Sequence, residues 1–122
     1  MAQPMTKTKV DISKFLGRWV NTYKETKGIA SFEISSQDGV PKFRAFGSQT
    51  SHAPGDWGEV EIIPLAASPD GGVAKGFHIT YEINQVKSLL AVNENKGLLI
   101  IAIYFLPSEG NGYFSREFFF LE

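Results

Sequence analysis

Cysteine is absent from the chain. Disulfides, thiolate metal sites and cysteine nucleophiles are excluded with it. Histidine is nearly absent, at His52 and His78 only, which leaves little of the usual acid–base chemistry near neutral pH. There is no excess of either charge, with 12 Lys and Arg against 13 Asp and Glu. A basic nucleic-acid footprint needs clustered cations, and here only Lys7, Lys9 and Lys14 fall close together, as a solvated tail. The longest apolar run, 98–106, is nine residues, too short for a membrane-spanning helix. The first residues lack an apolar signal core, so a cytoplasmic address is expected. No Gly-x-Ser-x-Gly elbow and no glycine-rich phosphate loop entering a helix occurs. No catalytic constellation, cofactor or metal is therefore expected.

The chain does have aromatics and turns. Ten Phe, four Tyr and two Trp accompany 12 Gly among 122 residues, enough for one domain with its own core. Aromatics suit a pleated, half-buried surface. Residues 1–10 read as a flexible tail and 11–122 as a single domain. Asp11 is placed to cap one helical turn over 12–16, and Gly17 ends that turn and admits the first strand.

Eight candidate strands follow, at 18–24, 29–35, 42–47, 57–65, 74–84, 86–93, 98–106 and 113–121. The second alternates Ala30, Phe32 and Ile34 with Ser31, Glu33 and Ser35, the period of a half-buried strand. Gln37-Asp-Gly39 and Ser68-Pro-Asp-Gly-Gly72 supply turns, and Pro64 marks a strand end or edge. Short strands at regular spacing, with no helical period after residue 17, predict an all-β fold. Eight hairpin-linked strands favour an antiparallel up-and-down β-barrel with a short N-terminal 3₁₀ turn, because closure removes exposed edges.

Such a barrel holds its own side chains or one small ligand. The expected lining is Phe32, Ile34, Phe43, Phe77, Ile79 and Tyr81, with Trp57 near a mouth, where Pro54-Gly-Asp-Trp57-Gly58 sets a large aromatic among turn residues. The expected occupant is a small, mostly apolar molecule. A packed interaction module without a ligand is the alternative. An enzyme using Tyr81, His78 and Glu82 is a third class, requiring His78 to point inward. Glu59 and Glu61 share a strand face about 7 Å apart and read as a charged outer surface. His52 lies in a polar loop near Asp56 without a second His.

Strands 98–106 and 113–121 are apolar on both faces, although one face of a barrel strand meets solvent. Self-association through Ile100, Tyr104, Phe118 and Phe120 is therefore expected, as a symmetric dimer. The tail folding over this face is the alternative.

The opening stretch Phe15-Leu-Gly17-Arg-Trp19 resembles the start of lipocalin-like proteins of the calycin superfamily, where a short 3₁₀ turn precedes Gly-x-Trp on the first strand. The strand count and turn rhythm extend the likeness over 11–122. The resemblance implies that Gly17 and Trp19 close the barrel base and that an Arg of the last strand, here Arg116, packs over the Trp. Two departures stand out. Fatty-acid-binding proteins insert a helical lid after the first strand, and only residues 25–28 are present here. Avidins share Gly-x-Trp-x-Asn, matched by Gly17-Arg-Trp19-Val-Asn21, but wall their ligand with several Trp, and only Trp57 is left to serve.

Overall fold

A computed structural model describes residues 10–48 and 55–122; Lys7, Lys9 and His52 lie outside these. The chain enters through a 3₁₀ turn at Ser13–Phe15. Asp11 accepts a hydrogen bond from the Ser13 amide at 2.8 Å through Oδ1, relieving one of the unpaired amides at the start of the turn. Gly17, at φ 128°, then turns the backbone into the first strand through a conformation that other residues avoid.

Nine antiparallel strands follow among the described residues: β1 (Gly17–Asn21), β2 (Ile29–Gln37), β3 (Val40–Gly47), β4 (Asp56–Glu61), β5 (Ile63–Ala66), β6 (Ala74–Ile83), β7 (Val86–Asn95), β8 (Leu98–Pro107) and β9 (Tyr113–Leu121). The spatial order is β4-β3-β2-β1-β9-β8-β7-β6-β5. Its two ends, β4 and β5, are consecutive in the chain, so the sheet wraps round to a nearly closed barrel. The count is nine and not the expected eight because the segment 57–65 divides at Ile62. Its first half pairs with β3 and its second with β6, and the buried Ile62 turns the corner between them. Pro64, without an amide hydrogen, sits in the second half, where only one strand edge is paired.

Two-residue turns set the register. Asp38-Gly39, Asn84-Gln85 and Lys96-Gly97 all have both residues at positive φ, the backbone twist that suits a tight hairpin. The alternation of side chains then fills the interior. Phe15, Phe32, Phe43, Phe77 and Phe119 are fully buried, half of the ten Phe in the chain. Phe32 stacks on Phe43 with ring centroids 4.7 Å apart and meets Phe119 edge-on at 4.9 Å. Burying one such side chain contributes about 1.5–3 kcal/mol, and these contacts form the floor and middle of the barrel.

Phe15 and Trp19 close the base. The Trp19 indole donates to the Phe15 carbonyl at 2.9 Å and lies parallel to Phe32. The expected Arg116 lid over Trp19 is not formed. Glu117 and Phe119 point inward, so their neighbours on β9 point out, and Arg116 lies over the Phe118 ring on the outer surface, 5.4 Å from its centroid. Alternation on β6 likewise sends His78 and Glu82 out while Tyr81 points in, so the three side chains proposed for an internal enzyme do not converge. Lys14 pairs with Glu94 at 3.5 Å. Among the described residues no helix is long and apolar enough to cross a membrane.

Candidate functional site

Among the described residues, the end opposite the Phe15–Trp19 floor is open. There β1 ends, β2 begins, β6 turns into β7 and β8 gives way to β9. A cavity of about 540 Å³ occupies this mouth, within the range of small-molecule sites. Its wall is apolar and aromatic, formed by Trp57, Phe105 and Tyr113 with Ile83 and Val86. Phe105 and Tyr113 stack against each other at 4.6 Å. Ser88, Ser115, Asn84 and Glu117 add polar atoms to the lining, and Lys27 and Gly28 contribute from the loop between β1 and β2.

Two of these groups owe their position to identifiable features of the fold. Trp57 is held by a bulge. Arg44 faces Glu59 and Phe46 faces Asp56, so two steps along β3 match three along β4. Gly58 absorbs the extra residue at φ 86°, as one form of β-bulge requires. Strict alternation would put Trp57 on the same side as Glu59. The bulge instead turns it inward, to 9% exposure, while Glu59 and Glu61 remain outside. Asp56 accepts from the Gly58 amide at 2.9 Å and also pairs with Arg44 across the strands, with Arg44 Nε 3.0 Å from Oδ1. Arg44 holds the Asp56 carboxyl down to about 2, with the Gly58 amide assisting. From the opposite wall Tyr81 reaches the same bulge and meets the Trp57 indole edge-on at 5.4 Å. Burial raises the Tyr81 phenol to about 12. Among the described residues Trp57 Nε1 is nevertheless a buried donor with no hydrogen-bond partner, an arrangement that leaves its desolvation uncompensated.

Glu117 is the acidic group in the cavity lining. Its carboxylate accepts from Asn21 Nδ2 through Oε2 and from the Thr26 hydroxyl through Oε1 at 2.7 Å. Asn21 and Thr26 are themselves buried, and Asn21 also donates to the Ile29 carbonyl at 2.9 Å. Each carboxylate oxygen has room for a further donor. Sequence reading missed Glu117. The available signal was its place two residues before the buried Phe119, on the inward parity of the last strand.

All of the expected interior residues face inward, but they divide by depth. Trp57 borders the cavity, whereas Phe32, Ile34, Phe43, Phe77, Ile79 and Tyr81 pack beneath it and do not line it. Tyr104, Phe118 and Phe120 are exposed on the outer face of β8 and β9, whereas Ile100, opposite Phe118, is buried at 5% exposure and offers almost no surface for self-association. Among the described residues no three His, Asp or Glu side chains gather as a metal site. No protein-family model matches the chain, nor does any curated protein or solved structure with which it was compared.

Proposed function

We propose that this protein binds a small, mostly apolar molecule in the cavity at the open end of a calycin-like barrel. The observation that carries the reading is the cavity itself. It is apolar and aromatic, closed below by a packed core, and bordered by a buried indole N–H that has no partner among the described residues. An apolar body would displace water from the aromatic wall, and a single acceptor would satisfy Trp57. Native mass spectrometry of the freshly purified chain, followed by thermal unfolding with naphthylmethanol as a neutral apolar probe, tests this. Bound small-molecule mass, or a rise in melting temperature with probe concentration, is expected. Introducing Ser115→Trp, to fill the cavity, should remove either signal. A chain with no bound mass and no stabilisation by the probe would sink the proposal.

A second reading has its own support. The outer surface of β8 and β9 exposes Tyr104, Leu106, Phe114, Phe118 and Phe120 around Arg116, a largely aromatic face of the kind that marks contact surfaces. In that reading the barrel acts through this face as a homodimer.

A further inference from the structure

The chemistry of the cavity wall narrows the ligand class, on the premise that the cavity is a binding site. We infer that the occupant carries a cationic head, an ammonium or similar N–H group, on its apolar body. Three observations converge. The carboxylate of Glu117 faces the cavity from the inward side of β9, with one donor already on each oxygen. Those donors, Asn21 and Thr26, are buried and belong to other elements, so the carboxylate is fixed before any ligand arrives. The rings of Trp57, Phe105 and Tyr113 share the remaining wall with Ile83, Val86 and neutral polar groups. Aromatic faces attract a cation electrostatically and a carboxylate completes the attraction.

An anionic head could accept from the Trp57 N–H, but it would also lie against Glu117 in a partly desolvated space, where like charges repel strongly. The cation in the lining, Lys27, is on the exposed loop between β1 and β2. It stands at the rim and can follow solvent, whereas Glu117 is tied on both oxygens. Among the described residues the fixed charge of the site is therefore negative.

The test holds the apolar body constant and changes only the head. Naphthylmethylamine, naphthylmethanol and naphthoate are titrated into the 122-residue chain by isothermal calorimetry at neutral pH. The amine is expected to bind at least about tenfold tighter than the alcohol, with naphthoate weakest. Glu117→Gln, which keeps the shape and one acceptor oxygen, should bring the affinity for the amine level with that for the alcohol in the same variant. Raising the pH above the amine's own ionisation range should do the same in the unaltered protein, so the result does not hang on one variant folding. Equal affinity for amine and alcohol overturns the cationic class while leaving an apolar binding site intact. Tightest binding of naphthoate overturns it in favour of Lys27. Binding of none of the three overturns the site reading and the ligand class together.

Discussion

The Tyr81 hydroxyl spans the barrel to the Gly58 carbonyl, donating to it at 2.8 Å, and accepts from the Ala45 amide at 3.1 Å. One side chain on β6 thus fastens both strands of the β3–β4 pair beside the bulge that aims Trp57. Tyr81→Phe keeps the ring and removes the hydroxyl, leaving a buried amide without a partner and the bulge without its anchor. A loss of about 1–3 kcal/mol is expected, read as a lower urea midpoint with the slope unchanged. A change in Trp57 emission should accompany it. Unaltered stability would mean that water replaces the hydroxyl at no net loss.

The same residue sets an alkaline limit. Burial raises the folded-state phenol from 10.0 to about 12. Between those values the unfolded chain releases a proton that the folded chain keeps, so unfolding gains from rising pH. The contribution is fully present below pH 10 and lost as pH climbs through about 12. Denaturant midpoints should fall over this window in the unaltered protein. In Tyr81→Phe that component of the fall should be missing.

Asp56 offers the acidic counterpart on an exposed pair. Arg44 holds its carboxyl at about 2 against an ordinary 3.8. Carbon-detected NMR titration should place its midpoint there, and Arg44→Gln should return it toward 3.8. The stability it adds is present above the ordinary value and disappears as pH falls through about 2. A midpoint indifferent to Arg44 would show that the pair does not persist in solution.

Gly58 is the backbone side of the same device. Its chain neighbours aside, no described residue has an atom within 4 Å of where its Cβ would be, so Gly58→Ala isolates the effect of a left-handed backbone. That substitution should destabilise by about 1–2 kcal/mol and lower affinity for naphthylmethanol, because Trp57 loses its fixed orientation. An alanine variant of equal stability and affinity would assign the placement of Trp57 to its ring contacts instead.

Much of this architecture was legible because strands announce themselves by period. Phe77, Ile79 and Tyr81 on one face of β6 follow from strict alternation, as do the two faces of β8. Gly17 and Trp19 were legible for a local reason, a turn, a glycine and an indole in direct succession. The bulge was not, since the extra residue at Gly58 becomes visible only when β3 and β4 are laid side by side. Nor was the break at Ile62, where inward parity runs unbroken from Val60 to Pro64 while the hydrogen-bonding partner changes. Arg116 was assigned by likeness to a pattern, and one step of parity on β9 put Glu117 inside and Arg116 outside. Glu117 then became part of the cavity through Asn21 and Thr26, contacts 96 and 91 residues away in sequence. Depth along the barrel was equally invisible, because alternation separates inside from outside and says nothing about which inward residues meet a cavity.

The outer face of β8 and β9 gives the last prediction. Tyr104 stands opposite Phe114 and stacks on it at 6.3 Å, and Ile100 stands opposite Phe118. Phe114 remains 71% exposed, so pairing within the sheet leaves most of its surface in water. If a second copy covers this face, sedimentation at micromolar concentration should report a dimer. The double substitution Phe114→Ser and Phe118→Ser should shift it to monomer without unfolding, since both side chains point away from the core. The cavity opens at the strand ends and not through this wall, so naphthylmethanol should bind that monomer as it binds the dimer. A chain already monomeric before substitution would remove the dimer reading and leave the cavity proposal standing alone. Loss of probe binding in the monomer would instead tie the two surfaces together, through the β8–β9 hairpin that carries Phe105 and Tyr113 on one face and Tyr104 and Phe114 on the other.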